Sequence, residues 1–300
     1  MSFYSKNVFT NEENNAWTKI YNLIEPNSRI LDIGCSSGRW GKFIIAKKNA
    51  YVVGVDIDQK DIQIAKKNLD QAFIKNIEKD NLDNFGLFDY IVMADIIEHL
   101  LYPEETLVRI KKLLKPSGQI IFSIPNMANG LVRIELLKGR FEYTDWGLLD
   151  KTHLHYYDKI EIYQLFERAG YKIEKTDCTM RDIPKNILKK ELGNIGLEYT
   201  EKFDKYIYSP ESVIFQYIGV AIPNKKFDKN IKPISNTPID SINKHLIDIE
   251  KNFKEHLSKV DKELALEKKL HLEKENDLNK ILNSRSWKLL NKINKITNRK

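Results

Sequence analysis

The chain has 300 residues, of which 42% are hydrophobic, and its 49 Lys and Arg exceed its 42 Asp and Glu, giving a formal net charge of +7. This length allows one large domain with an appendage, or two domains. No run of about eighteen apolar residues and no apolar N-terminal segment occurs, so we expect neither a membrane span nor a secretory signal. The two cysteines, Cys35 and Cys178, are too few to form a disulfide framework or a zinc site alone, which fits a reducing cytoplasm.

The positive charge is concentrated in the C-terminal part of the chain. Residues 224–300 carry 19 Lys or Arg and 11 Asp or Glu, whereas residues 1–223 carry 30 and 31. The N-terminal part therefore lacks the basic character of a nucleic-acid groove, and we expect no nucleic-acid partner. The basic tail is suited to an acidic partner.

Strand-like and helix-like segments alternate from residue 29 onward. The strand-like segments are 29–36, 51–56, 72–76, 88–95 and 116–126, and the helix-like segments are 38–48, 58–70, 96–100 and 103–115. Such alternation predicts a parallel sheet with crossover helices. Two further strand-like segments, 170–178 and 213–223, follow one another and predict an antiparallel edge. The expected fold class is therefore α/β, with a Rossmann-like, doubly wound, seven-stranded sheet whose last strand is antiparallel.

The sequence after Pro223 changes character. Residues 224–238 are polar, include two prolines and predict a linker. Residues 239–283 carry apolar side chains at steps of mostly three and four, which predicts a self-associating coiled coil or a single long helix folded back on the domain. Residues 284–300 predict a basic amphipathic helix, suited to an anionic membrane surface or simply solvated.

A glycine-rich loop, ILDIGCSSGRWG, occupies residues 30–41. Its G-x-x-x-G-x-x-G spacing differs from the G-x-G-x-x-G of dinucleotide sites, and the ending of a P-loop is absent. Asp32 would repel a phosphate and attract an amine, so we expect a nucleoside that carries a cation near the loop. Asp56, at the end of the second strand, is placed to accept hydrogen bonds from two ribose hydroxyls. Cys35 is either a reactive thiol or a small space-filling residue.

Four motifs in order, ILDIGCSSGRWG, VDID, KNIEKDNL and FDYIVMADIIEHL, resemble the class I S-adenosylmethionine (SAM)-dependent methyltransferases over about residues 25–223. The resemblance implies a methyltransferase domain at 1–223 with SAM as its cofactor. The implied contacts are Asp32, Gly34 and Gly38 to the methionine part, Asp56 to the ribose, Asn76 and Ile77 to the adenine, and Ala94 and Asp95 closing the pocket. The family often has Asp at the position of Asn76. The alternative is a similar sheet that has lost its cofactor.

The nature of the acceptor is less clearly encoded. No Asn-Pro-Pro-Tyr-like motif and no Pro-Cys pair follows the fourth strand, which argues against amino methylation of DNA bases and against cytosine C5 chemistry. Residues 126–157 form an insertion after the fifth strand, where this fold builds its acceptor lid. Arg133 and Arg140 could bind a phosphate or carboxylate there. The aromatic candidates for stacking on a sugar ring, or alternatively for lid packing, are Tyr143, Trp146 and Tyr156.

Two short segments, DIIEHL and DKTHLHYY, resemble the ubiquinone-biosynthesis-type O-methyltransferases and their relatives near polysaccharide gene clusters. The resemblance implies His153 as the general base, with His155 as the second choice, or else a structural role for His153. The candidates for holding a divalent metal ion are Asp95, Glu98 and His99, although Glu98 and His99 could instead orient the lid.

The S-x-S-W-K-L pattern near the C-terminus resembles the tail of enzymes of bacterial surface-glycan assembly. We therefore expect a cytoplasmic O-methyltransferase, peripheral at the inner face of the membrane, that acts on a sugar hydroxyl of a nucleotide-sugar or lipid-linked glycan. Self-association through the coiled coil and contact with glycan-assembly enzymes are the expected partnerships. The alternatives are an O-methyltransferase of a quinone-like or other small metabolite, and a cofactor-binding scaffold of glycan assembly.

Overall fold

The computed structural model describes residues 13–181, 183–203 and 209–224. The strands are β1 (Arg29–Ile33), β2 (Tyr51–Asp56), β3 (Gln71–Ile74), β4 (Phe88–Ala94), β5 (Leu114–Pro125), β6 (Tyr171–Met180) and β7 (Ile214–Pro223). The helices are α1 (Ala16–Leu23), α2 (Arg39–Lys48), α3 (Gln59–Ala65), α4 (Pro103–Ile110), α5 (Gly130–Leu137), α6 (Lys159–Arg168), α7 (Lys185–Asn194) and a single turn at Pro210–Val213.

The seven strands form one sheet in the order β3-β2-β1-β4-β5-β7-β6. Strands β1 to β5 pair in parallel, and β7 pairs antiparallel with both of its neighbours. The expected fold class is confirmed, including the antiparallel last strand. That strand lies between β5 and β6, so β6 forms the outer edge of the sheet.

Several element boundaries differ from the sequence-based expectation. The segment expected as a helix after β4 is only a 3₁₀ turn at Ile97–His99. Helix α4 begins with Pro103 in its first turn, where the missing amide hydrogen costs nothing, and it already ends at Ile110. A 3₁₀ turn at Lys111–Leu113 follows, and Leu114 then pairs with Phe88 as the start of β5. Pairing of this strand with its neighbour therefore overrides the helical pattern of its first residues.

Helices cover both faces of the sheet and divide the core in two. On one face Ile20 of α1 and Ile44 of α2 are fully buried against the sheet. On the other face Leu107 of α4 and Leu165 of α6 are buried in the same way. Each such side chain contributes about 1.5–3 kcal/mol by leaving water. The ends of the parallel strands are thereby held in fixed positions relative to one another.

Two insertions pack against each other beyond the sheet. One is the expected insertion at 126–157, which contains α5, and the other runs from 181 to 213 and contains α7. Ile134 of the first and Leu188 of the second belong to one small buried cluster. Lys138 also forms a 2.8 Å ion pair with Glu191. These contacts join the two insertions into one unit.

The expected coiled coil at 239–283 and basic helix at 284–300 lie outside the described residues, as does the linker apart from Asn224. Within the described residues, no helix has the length and apolar composition needed to cross a bilayer.

Candidate active site

A cavity of about 890 Å³ opens at the carboxyl ends of β1, β2, β3 and β4. The loops after parallel strands meet at one edge of a sheet, which is where α/β folds bind their ligands. Seven of the eight residues expected to bind the cofactor line this cavity: Asp32, Gly34, Asp56, Asn76, Ile77, Ala94 and Asp95. Gly38, the eighth, is not among the lining residues.

Two glycines shape the loop after β1. Gly34 has φ +76°, and a Cβ at this position would lie 2.0 Å from Cδ1 of Ile96. Gly38 has φ +72° and precedes α2, and its Cβ would lie 2.8 Å from Cγ of Leu69 and 3.2 Å from Cα of Ala65. Gly34 thus keeps the loop close to the segment after β4, whereas Gly38 lets the loop pack closely against Ala65 and Leu69.

Cys35 lies in the same loop and faces the interior. The residue is 8% exposed, and a Cβ on Gly54 would approach its Sγ to 2.6 Å. Burial, followed by the charge of Asp32, raises the pKa of the thiol far above its ordinary value. Because the thiolate is the reactive form, the structure supports the space-filling interpretation.

Asp32 is buried in the floor of the cavity, at 3% exposure. Burial, and then the charge of Asp56, raise the pKa of the Asp32 carboxyl from 3.8 to about 8. A cationic group in the cavity would favour the ionised form and reverse this shift. The floor therefore fits the ammonium and sulfonium groups of a ligand such as SAM.

Asp56 holds the glycine-rich loop against the end of β2. Its Oδ2 accepts a hydrogen bond from the Ser36 amide at 2.8 Å, and its Oδ1 accepts one from the Asp58 amide at 2.9 Å. Ser36 itself has φ +46°, and its hydroxyl donates to Asp61 at 2.7 Å. A carboxylate has about four lone-pair positions, so Asp56 keeps capacity for two ribose hydroxyls.

The part of the cavity expected to bind the adenine follows β3. The Asn76 side-chain oxygen accepts a hydrogen bond from the Glu78 amide at 2.9 Å, so part of its acceptor capacity already fixes the local turn. Ile77 is buried beside Asn76 and also lines the cavity. Ile57 lines the cavity as well, but its side chain is 72% exposed. Ile57 was not predicted from the sequence, although its place directly after Asp56 at the end of a strand is the signal that could have found it.

Asp95 lies just after β4 with φ +52°. Ser123 of β5 donates to Oδ1 of Asp95 at 2.9 Å, and Nε2 of Gln216 on β7 lies 2.8 Å from both of its carboxylate oxygens. These contacts cross-link three strands at the cavity edge. The Asp95 carboxylate is thus held by the sheet, and it is not part of the donor cluster described next.

Glu98, His99 and His153 form a cluster beyond β4. One ligand atom from each lies within 4.8 Å of the others, and Nε2 of His153 is 4.0 Å from Oε1 of Glu98. Nδ1 of His99 lies 3.1 Å from the Thr152 carbonyl, and Nδ1 of His153 lies 3.3 Å from the Leu148 carbonyl. A carbonyl can only accept, so we assign the proton of each ring to Nδ1, which leaves a lone pair on each Nε2.

The Glu98 carboxyl is the unusual member of this cluster. It is 1% exposed, and neither of its oxygens has a hydrogen-bond partner within the described part of the chain. Burial, and then Asp95, raise its pKa well above the ordinary value. Two imidazole nitrogens oriented by backbone carbonyls and one unpartnered carboxylate fit a divalent ion such as Zn²⁺ or Mn²⁺. The structure brings His153 to this donor set in place of Asp95, the third ligand predicted from the sequence.

Comparison with known proteins agrees with this geometry. A family model described as a methyltransferase domain matches residues 11–176, more than half of the chain. The chain belongs to the methyltransferase domain family. It has the sheet of a class I SAM-dependent methyltransferase, and SAM is the cofactor.

Individual relatives are distant. The chain is 30% identical over 104 residues to a ubiquinone biosynthesis O-methyltransferase of Aromatoleum aromaticum, covering 33% of this chain and 44% of the relative. It is 26% identical over 186 residues to the protein of the same description from Vibrio campbellii, covering 59% and 70%. A SAM-dependent methyltransferase structure from Methanosarcina mazei has a TM-score of 0.47 and 16% identity, covering 69% and 98%. The chain thus spans less than half of the first relative's length.

The three histidines that were predicted as site residues are placed differently. His99 lines the cavity. His153 does not line it; it is 8% exposed, and the centroid of its ring lies 4.7 Å from that of His99. Burial, and then His99, lower the pKa of His153, so its ring is neutral at physiological pH. His155 lines a separate pocket of about 410 Å³ beside α4 and α6. From the sequence, His99 was predicted as a metal ligand or as a residue that orients the lid, and not as a base.

The side chains expected to bind the acceptor do not line the cofactor cavity: Arg133, Arg140, Tyr143, Trp146 and Tyr156. Tyr143 and Trp146 are 59% and 52% exposed. Tyr156 lines the pocket that contains His155, and burial together with Tyr143 raises its pKa to about 12. The only residue of the insertion that lines the cavity is Thr152, among the described residues.

The aromatic lining of the cavity comes from α1 and α2 instead. Trp17, Trp40 and Phe43 all line it. Helix α1 was not predicted from the sequence. The available signal was Asn15, whose side chain caps the helix by accepting from the Thr18 amide at 3.2 Å.

Proposed function

We propose that this protein transfers the methyl group of SAM to a hydroxyl group on a small ring-shaped molecule. The observation that carries the proposal is the cluster of Glu98, His99 and His153 at the β4 end of the cofactor cavity. An oxygen acceptor loses a proton as it attacks, and a neutral hydroxyl needs a base or a metal ion to do so. The relatives described as ubiquinone biosynthesis O-methyltransferases support an oxygen acceptor.

The order of the strands supports the assignment of the two cavity ends. The adenine residues follow β3, Asp56 follows β2, the glycine-rich loop follows β1, and the cluster follows β4. A nucleoside bound along this row directs its sulfonium toward the cluster. Because the methyl group is already activated, the protein has to align the acceptor and manage one proton.

The proton of the acceptor hydroxyl passes to Nε2 of His99, whose tautomer is fixed by the Thr152 carbonyl at 3.1 Å. His153 packs edge-on behind His99 and holds its ring in place. A divalent ion, where bound by Glu98, His99 and His153, would instead lower the pKa of the acceptor hydroxyl. In both cases the cluster acts on the acceptor through His99, the member that lines the cavity.

Transfer of a labelled methyl group from SAM to fractionated lysate from the protein's own source tests the proposal. His99→Ala should lower turnover about 100-fold or more and leave the affinity for S-adenosylhomocysteine intact. His153→Ala should also lower turnover, and His155→Ala, in the separate pocket, should not. Normal turnover in His99→Ala would refute the assigned base. Loss of turnover after chelation, restored by Zn²⁺ or Mn²⁺, would select the metal route.

A second candidate acceptor is a sugar hydroxyl of a nucleotide-sugar or lipid-linked glycan. The S-x-S-W-K-L pattern and the basic composition of residues 284–300 favour it. Label in the glycan fractions, and release from anionic liposomes on deletion of 284–300, would support this candidate and membrane association together. Label only in small metabolites would reject it. Loss of self-association on deletion of 239–283 would test the coiled coil separately.

A further inference from the structure

Two indoles form an aromatic wall of the cavity; Trp40 stands in the glycine-rich motif, whereas Trp17 stands outside every motif quoted for the family. Trp17 of α1 and Trp40 of α2 both line the cavity, and their ring centroids are 5.5 Å apart at an angle of 40°. Trp40 is 9% exposed and belongs to the core on this face of the sheet, so its position is fixed. Trp17 is half-buried and lies on this support.

The helix that carries Trp17 is anchored at both sides of the indole. Lys19 forms an ion pair with Asp177 of β6 at 2.8 Å. The Asn14 side chain donates to the Met180 carbonyl at 2.9 Å and accepts from the Met180 amide at 2.8 Å. Trp17 is thus held in one place before any ligand binds, which lowers the entropy cost of using it as a contact surface.

The direction from which Trp17 reaches the cavity separates it from the adenine site. The adenine residues follow β3, and three strand spacings, about 14 Å, separate β3 from β4 in this sheet. Helix α1 packs against β5, β6 and β7, on the far side of β4. Trp17 therefore enters the cavity from the end where Asp95 and His99 lie.

The charges that line the cavity restrict the acceptor. Six carboxyl groups line it: Asp32, Asp56, Asp58, Asp61, Glu78 and Asp95. Among the described residues, its lining cations are Arg39 and Lys75, and Lys75 follows β3 at the adenine end. The arginines of the insertion, Arg133 and Arg140, do not line it. Five of the six carboxyl groups line the part of the cavity proposed for the cofactor, and at the end that Trp17 enters the charge of Asp95 disfavours a diphosphate, because like charges brought together weaken binding.

We infer that Trp17, supported by Trp40, is the platform against which the acceptor ring packs, and that the acceptor is an uncharged ring bearing the reacting hydroxyl. This inference rests on the proposed function and narrows its substrate class. It assigns ring recognition to α1, and not to the exposed aromatic side chains of the insertion. It also disfavours a nucleotide-sugar.

Calorimetric titration of the full chain tests the inference with two named probes. Protein saturated with S-adenosylhomocysteine is titrated with catechol, an uncharged dihydroxylated ring, and with UDP-glucose. We expect saturable catechol binding that is tighter than UDP-glucose binding. Trp17→Ala should weaken catechol binding about 5- to 10-fold, Trp17→Phe should stay within about 3-fold, and Trp146→Ala, which removes an exposed indole of the insertion, should have little effect.

The opposite results overturn the inference. A loss of catechol affinity in Trp146→Ala but not in Trp17→Ala would return ring recognition to the insertion. An equal loss for S-adenosylhomocysteine and catechol in Trp17→Ala would make Trp17 a cofactor contact. Absence of catechol binding, or tighter binding of UDP-glucose, with the cofactor site intact, would reject the substrate class. Failure of the wild-type protein to bind S-adenosylhomocysteine would instead refute the proposed function.

Discussion

Replacement of Gly34 by Ala tests the architecture of the cofactor loop. With φ +76°, an alanine there incurs about 1–2 kcal/mol of left-handed backbone strain. Its Cβ would lie 2.0 Å from Cδ1 and 2.8 Å from Cγ1 of Ile96. Relieving that overlap costs about 0.5–1.5 kcal/mol if the side chain leaves its rotamer and about 1–3 kcal/mol if the surroundings shift. The expected loss is about 1.5–5 kcal/mol, a large share of a domain's ~5–15 kcal/mol.

Urea denaturation of four variants separates the two contributions. Gly139 has φ +70°, and apart from its two chain neighbours no described residue has an atom within 4 Å of the position that an added methyl group would take. Gly139→Ala should therefore show the backbone strain alone, about 1–2 kcal/mol. Ile96→Ala removes both clashing atoms. In that background Gly34→Ala should cost no more than Gly139→Ala does in the wild type.

Cofactor binding should respond to the same pair of substitutions. Gly34→Ala should weaken S-adenosylhomocysteine binding, because Gly34 lines the cavity, whereas Gly139→Ala should not. A free energy of unfolding for Gly34→Ala equal to that of Gly139→Ala would show that the clash with Ile96 is absent. An equal cost of Gly34→Ala in the wild type and in the Ile96→Ala background would refute the clash independently.

Three further predictions concern the site. Asp56→Ala removes the acceptor of the Ser36 amide and of the ribose hydroxyls, so calorimetry should show at least about 100-fold weaker cofactor binding; a change under about tenfold would contradict the assigned contact. Because the pKa of Asp32 is raised from 3.8 to about 8, its contribution to the stability of the ligand-free protein is present below about pH 4 and is lost as the pH rises to about 8. In urea denaturation at several pH values, Asp32→Asn should flatten this decline in stability. An unchanged pH profile would argue against the raised pKa of Asp32. Cys35 and Cys178 are buried thiols with raised pKa values, so a disulfide reagent should label them far more slowly in native protein than in urea, and equal rates would show that the loop opens freely.

The residues that line the cavity at the strand ends were accessible from the sequence because the signals for them are local. Each contributing residue stands at the end of a strand, and the alternation of apolar segments locates those ends to within a few residues. Asp32 and Asp56 could be placed in this way from the sequence alone. Parallel pairing then obliges the ends of neighbouring strands to meet at one edge. Gly38 shows the limit of this reasoning, since the motif contains it but packing turns it toward Leu69.

The insertion shows why the acceptor half was harder to predict. Tyr143 and Trp146 have the composition of a binding surface, but in the folded structure both are exposed and lie outside the cavity. His153 has the sequence context of a base, but the fold places it behind His99. In both cases the direction of a side chain depends on contacts with segments remote in sequence.

The sequence by itself determined the fold class and the family of this protein and which strand ends line the cavity, because periodic apolar segments and loop motifs encode strand ends locally. Only the tertiary structure decided which groups meet beyond β4, at the end of the cavity where we propose that the acceptor binds. Glu98 and His153 are joined there by the insertion after β5, and Trp17 is brought in by α1, which contacts strands formed more than 90 residues later. Long-range packing selects these neighbours, and no short segment of the chain contains that information.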